Sequence, residues 1–352
     1  MADSIKTTAG SATTTKPLKK SIAYFIIMLG ILALAFSAIM VKKANFEAVT
    51  NAFLRCLIGF LTLVPFAYWE IKRKGKLNRN GVLLAILAGI FLGIDMTAWN
   101  YAIFFVGAGI SSVLLNLQII VMPMLAMVFD KFKPAKSFWV LVPIMIFGIV
   151  LTGGIFDGAP SEGPTTIWGH PIAVVGTLLG TLSGICYGIY LYTSRKSGTI
   201  NPGIYIQPLM WVFLAQLIPQ TFTMLFISPE GWNTTQGVLV DGKLPMNPEV
   251  LSGDMITAAN WWWMILLAVV GHAMAWVFIQ IGSVNLDPTI VAGLLLLSPI
   301  TTVLVSPYTS DESISMLQGI GIVIVLAAVA YQNGLHTALY NRLRGKKITE
   351  SS

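Results

Sequence analysis

Apolar residues run along this chain in long blocks rather than in alternation with polar ones. Ten blocks stand out, at about 22–41, 49–69, 81–104, 107–129, 137–155, 171–194, 204–227, 261–283, 287–307 and 315–333, with polar or charged stretches between them. A bilayer crossing takes roughly 20 helical residues. The pattern therefore predicts ten transmembrane helices and an all-α polytopic membrane protein. Residues 1–20 are rich in Ser, Thr and Lys and lack apolar periodicity, so they read as a disordered tail; 334–352 reads as a basic, polar tail. The first block is too long and wrongly flanked for a cleaved signal peptide, and is expected to remain as an anchor. The tightest join is at Phe105–Gly107, where two blocks touch with almost no loop.

Composition supports this reading. Hydrophobic residues make up 55% of the 352 and charged residues only 11%, against about 25% charged in a soluble domain. A soluble enzyme, a fibrous protein and a disordered chain are all excluded. The net charge of +7 would suit nucleic acid, but the positions of the cations point to a membrane instead. With the N-terminus inside, 18 Lys and Arg fall on the inner side and three (Lys42, Lys43 and Lys243) on the outer, leaving Arg55 within a span. This split predicts both termini in the cytoplasm of a plasma (inner) membrane protein. Acidic residues lean the other way, with Asp157, Glu162, Glu230, Glu249, Asp254, Asp311 and Glu312 in predicted outer loops. The longest of these loops, 228–260, contains Asn233 in a formal glycosylation sequon, a pattern short enough to arise by chance. Trp261, Trp262 and Trp263 open the next span and fit an interfacial aromatic belt. Cys56 and Cys186 both lie inside spans, which argues against a disulfide framework.

An offset of 180 residues lays Leu114, Leu115, Leu117 and Ile120 over Leu294, Leu295, Leu297 and Ile300, and Asn100 over Gln280. Two units of five spans each must be inverted relative to one another, the usual architecture of secondary transporters with a site at mid-membrane. The expected domains are a first repeat at 21–155 and a second at 156–333.

The stretches Gly93-Ile-Asp-Met-Thr-Ala-Trp-Asn-Tyr-Ala-Ile103, Ser111-Ser-Val-Leu-Leu-Asn-Leu-Gln118 and Leu294-Leu-Leu-Leu-Ser-Pro299, with Glu312 and Gly321, resemble the EamA-like branch of the drug/metabolite transporter superfamily. Ile119, where a proline is common, and Asp130, near the usual glutamate, depart from its pattern. The resemblance covers about 22–333. It implies a ten-helix fold and export or exchange of small metabolites.

Asp95 lies near the middle of its span, where an ionisable group is costly and usually faces a cavity. It is the first candidate for a proton carrier or an amine counter-ion. His272 sits three residues before the position that the offset pairs with Asp95, and a carboxylate beside an imidazole would make a proton relay. Trp99, Asn100, Tyr101, Asn116 and Gln118 form a polar and aromatic set, with Tyr187, Tyr190, Trp276 and Gln280 from the second half. Aromatic walls with a few amides suit small amphipathic, zwitterionic ligands such as amino acids. Arg55, about 9 Å from the outer end of its span at 1.5 Å per residue, could bind a carboxylate or a lipid headgroup, but snorkelling to the nearby interface is the expectation. Gly176, Gly180, Gly184 and Gly188 make a small-residue ridge for close helix packing. Pro123, Pro299 and Pro307 fall inside spans, where they permit bends.

Three histidines and two separated cysteines show no metal-ligand spacing, and neither a phosphate-binding loop nor a nucleophile elbow is present. The expectation is a non-enzymatic secondary transporter without a cofactor, whose partners are a small molecule and the bilayer rather than nucleic acid. Its packing ridges suit a homodimer as well as a monomer. The alternatives are a nucleotide-sugar or sugar-phosphate exchanger, which would want several basic residues at cavity depth, and a polytopic receptor using 228–260.

Overall fold

The computed structural model describes residues 20–46, 48–131, 133–134, 136–152, 166–167, 169–226, 256–286, 294–295, 297–310 and 314–332. The tails, residue Asn233 with most of the 228–260 loop, Glu312 and the expected repeat boundary at 155/156 lie outside the described residues.

Among the described residues, helices fall within each of the ten apolar blocks. They are α1 (Lys20–Ala44), α2 (Ala48–Lys74) and α3 (Arg79–Val106), then α4 (Ala108–Leu114) and α5 (Gln118–Asp130) joined by a 3-10 turn (Leu115–Leu117), and α6 (Lys136–Thr152). The second half holds α7 (Ile172–Ile200), α8 (Ile206–Phe226), α9 (Ala258–Leu266) and α10 (Ala275–Asn285), with a π-helical stretch (Leu267–Met274) between the last two. It ends in α11 (Leu297–Ser310) and α12 (Met316–Gln332). Among the described residues, seven spans are long and apolar enough to cross a membrane: Lys20–Ala44, Val49–Lys74, Arg79–Val106, Ala108–Asp130, Ile172–Gly198, Ile206–Phe226 and Ala258–Gly282. Shorter apolar helices cover Lys136–Thr152 and Met316–Tyr331. A two-stranded antiparallel hairpin, β1 (Thr166–Ile167) with β2 (His170–Pro171), departs from the all-helical expectation.

Two predicted spans are not continuous α-helices. The fourth tightens into the 3-10 turn at Leu115–Leu117, and the eighth widens into the π stretch. Such departures from regular winding cluster at functional sites. The tight join after α3 is made by one residue, Gly107, at φ 92°, a conformation natural for glycine. Its N–H donates to Ile103 O and closes the helix.

Burial is inverted relative to a soluble protein. Phe25, Val128, Phe129, Phe226 and Val323 are each about two-thirds exposed, while Asn51, Arg55, Asp95, Asn100, Gln216, Gln220 and His272 are completely buried. Apolar residues outside and polar residues inside make a surface suited to lipid. The chain is a multi-pass membrane protein.

The main helix contacts pair α3 with α7 and α8, α6 with α12, and α2 with α8. They also pair α1 with α10, the π stretch and α11, α2 with the π stretch, α5 with α7, and α4 with α11. The glycine ridge of α7 lies in one of these seams. Gly176 faces Phe105 and Val106, Gly180 faces Leu114, Gly184 faces Leu114 O and Leu117, and Gly188 faces Val121 and Gln118. A methyl group at any of the four would press within 3 Å of its neighbours. The ridge thus brings α7 flush against the broken fourth span.

Candidate functional site

Around the break in the fourth span lies a central cavity of about 60 Å³. Leu34 of α1, Arg55 of α2, Met96 and Trp99 of α3, and Ser112 of α4 line one part of it. Leu115 and Asn116 of the 3-10 turn, Gln118 of α5, Tyr187 of α7, Trp276 of α10, Leu295 and Ser298 complete the wall. A space of this size has room for a few water molecules. Small-molecule sites usually measure about 300–1,000 Å³, so a metabolite fits only when the walls move apart.

Several of the polar groups here have no partner. Among the lining residues, the three guanidinium nitrogens of Arg55, Trp99 Nε1, Gln118 Oε1 and Trp276 Nε1 are buried without a hydrogen bond, and so are Asp95 Oδ2 and both amide atoms of Asn100, which stand on α3 beside the lining. Buried polar groups are ordinarily satisfied, because an unmade bond costs about 1–3 kcal/mol. A concentration of unmade bonds at one central cavity marks a place built to receive something.

Arg55 corrects the sequence reading. It does not snorkel, because it is completely buried, lines the cavity and lies with its guanidinium carbon 5.4 Å from the Trp99 ring centroid. The reason is the packing of α2, whose neighbours α8, the π stretch and α3 enclose this face of the helix. Distance to the membrane surface along one helix could not reveal that enclosure.

Asp95 is held by α7, whose Ser183 Oγ donates to Oδ1 at 2.5 Å. It forms no hydrogen bond with Arg55, whose guanidinium nitrogens have no partner. The expected meeting of Asp95 with His272 does not occur as a hydrogen-bonded pair. His272 Nε2 lies 3.1 Å from Gln216 Nε2 and 3.9 Å from Cys56 Sγ, and its ring stacks on Phe213 at 4.3 Å. Gln220 Nε2 donates to Cys56 Sγ at 3.1 Å, which completes a polar chain between α2, α8 and the π stretch.

Of the residues singled out from sequence, Trp99, Asn116, Gln118, Tyr187 and Trp276 line the cavity. Tyr190 backs them, with ring centroids 5.8 Å from Tyr187 and 5.4 Å from Trp276. Asn100 is fully buried next to Trp99 in sequence. Tyr101 instead stacks on Phe105 at 5.7 Å within an apolar cluster. Gln280 is half-buried along α10 beyond Trp276, outside the lining. Ser112, Ser183 and Ser298 escaped the sequence reading, since a serine in an apolar helix usually bonds its own backbone. Ser112 does so here, to Ala108 O. Gln216 and Gln220 escaped it too, although two amides four apart in an apolar span were a signal for them.

Among the described residues, no group of three His, Cys, Asp or Glu is placed to hold a metal ion.

The sequence model of the EamA-like transporter family matches residues 21–154 and 244–333. The comparison with curated proteins gives no match. A solved structure, titled as the crystal structure of a protein, superposes with a TM-score of 0.55 at 13% identity, covering 90% of this chain and 99% of its own. At that identity the likeness concerns the fold alone.

Proposed function

The chain belongs to the EamA-like transporter family, and from that premise we propose that it is a secondary carrier exporting or exchanging a small amphipathic metabolite such as an amino acid. The observation that carries this reading is the cavity between the helices, with unpaired buried polar groups contributed from both matched segments: Arg55, Trp99 and Gln118 from the first, Trp276 from the second.

The helix contacts support two inverted five-helix halves at 21–155 and 156–333. Exchanging every span for the one five places along converts the α3–α7 contact into α1–α10, α3–α8 into α2 with the π stretch, and α5–α7 into α1–α11. The contacts α2–α8, α4–α11 and α6–α12 map onto themselves. Two halves related in this way rock about a fixed central site, which opens first to one side and then to the other. The orientation that places both termini in the cytoplasm of the plasma membrane rests on the distribution of Lys and Arg.

Asp95 is the group through which a proton gradient would couple to transport. Its carboxylate has one fixed donor, Ser183, and one oxygen without a partner. One observation favours a second reading, a sugar-phosphate or nucleotide-sugar exchanger, because Arg55 does reach the cavity. It is, however, the only cation in the described lining.

The test is counterflow in proteoliposomes with labelled amino acids and small amines, with and without an imposed pH gradient, for the wild type and Asp95→Asn. Saturable counterflow whose response to the gradient disappears in Asp95→Asn is expected. Counterflow with an unchanged response would leave the carrier standing and remove Asp95 from coupling. Absence of counterflow for every compound, phosphate esters included, would overturn the carrier reading.

A further inference from the structure

A guanidinium in a water-poor interior is ordinarily paired, because an isolated buried charge is very costly. Arg55 is completely buried, and none of its nitrogens has a hydrogen-bond partner. The Trp99 ring at 5.4 Å supplies a cation–π contact through its face. That contact leaves the five N–H donors of the fork unused. Two further donors line the same cavity without acceptors, the indole N–H groups of Trp99 and Trp276.

Donors gathered in this way call for a group that only accepts. A carboxylate is such a group: its two oxygens match the guanidinium fork bidentately and retain lone pairs for an indole N–H. The local charge argues for a single negative charge. Asp95 stands one helical turn before Trp99 on α3, beside the lining residue Met96, so a phosphate dianion or a diphosphate would meet one cation and a carboxyl group. A monocarboxylate that also carries a cationic group meets a complementary partner for each end. Leu34, Met96, Leu115 and Leu295 supply apolar wall for the remainder of the molecule.

We propose that Arg55 anchors the carboxylate of the carried compound, so that the cargo is a zwitterionic monocarboxylate with its cationic end towards Asp95. The proposal rests on the carrier reading above and names the chemical class of that cargo. Arg55 is then the residue that sets specificity, and its planar fork is required as well as its charge.

The experiment is counterflow with wild-type protein in proteoliposomes, using the common amino acids, their carboxamides, the corresponding decarboxylated amines, inorganic phosphate and glucose 6-phosphate. At least one amino acid is expected to exchange, while its amide and amine do not. Arg55→Gln is expected to weaken exchange of that amino acid by about 30-fold or more, the usual loss when one partner of a buried charge pair is truncated. Arg55→Lys, which keeps the charge and loses the fork, falls between the two. The comparison of acid with amide on the wild type decides the matter even if Arg55→Gln fails to fold. Amide or amine exchanging as well as the acid would overturn the anchor, and so would unchanged exchange by folded Arg55→Gln; both leave the carrier intact. Preferred exchange of phosphate or glucose 6-phosphate overturns the carboxylate class. Absence of exchange in every arm overturns the carrier reading and this inference with it.

Discussion

Arg55 and Asp95 are both completely buried, yet they are held in different ways. The carboxylate is fixed from α7 by Ser183, whereas the guanidinium rests against a tryptophan face with its donors open. The Asp95–Ser183 bond also ties α3 to α7, beside the seam that the glycine ridge makes with the fourth span. Ser183→Ala and Asp95→Ala are each expected to lower stability in detergent by about 1–3 kcal/mol, the usual cost of leaving a buried partner unsatisfied. The double variant should then lose less than the sum of the two. Melting curves of the four proteins measure this, and strict additivity would show that the bond contributes nothing. At this scale, Asp95, Trp99 and Gln118 were legible because a polar or amphipathic side chain deep in an apolar block has few places to go. Arg55 was misread because its fate depends on which helices cover α2.

The start of α8 shows what a single element owes to its neighbours. Its first turn contains no acidic residue, and the first N–H groups of a helix have no partner within it. The cap comes from another helix. Glu70, near the end of α2 and almost fully buried, accepts from the backbone N–H groups of Tyr205, Ile206 and Gln207 at 2.9–3.0 Å. A carboxylate at that position also complements the helix dipole. Gln207 answers from the other side, accepting from Leu77 N and donating to Gly75 O. Asn201 accepts from Asn78 N, and Ser197 donates to Gly81 O. The loop between α2 and α3 is thereby latched to the loop between α7 and α8. Glu70→Ala is expected to cost about 2 kcal/mol or more, since charge-assisted bonds to the backbone are among the stronger ones. Lys74→Ala should cost much less, because its ion pair with Glu70 at 3.2 Å is partly exposed. Thermal unfolding of the two variants makes the comparison, and equal losses would assign the stabilisation to the ion pair rather than to the cap. The positions of the helices were legible from block length alone. The 3-10 turn, the π stretch and the cap were not, because each depends on contacts with other helices.

Over the whole molecule, the exposed apolar surface and the buried polar interior define a protein solvated by lipid. Helix α2 is 27 residues long, about 40 Å at 1.5 Å per residue, which exceeds the roughly 30 Å of bilayer hydrocarbon. Lys43, just before α2, and Lys76, just after it, are both exposed and belong on opposite sides of the membrane. Lys43→Cys is expected to react with an impermeant maleimide from outside intact cells, and Lys76→Cys only after permeabilisation. The native Cys56 and Cys186 are buried and contribute little background. Labelling of both positions from one side would overturn the predicted topology.

By itself the sequence determined that the protein is helical and membrane-embedded, and where its helices lie. Those properties follow from the length of apolar blocks, because a bilayer admits only segments that satisfy their own backbone hydrogen bonds. It also identified the aromatic and amide residues of the third, fourth, sixth and eighth spans. Only the tertiary structure decided which of them share a cavity, that Asp95 meets Ser183 instead of His272, and that Arg55 faces inward. A side chain's partner is set by the face its helix turns to its neighbours. That orientation arises from packing between segments far apart in the chain, such as the α7 glycine ridge on the fourth span, and local pattern carries no record of it.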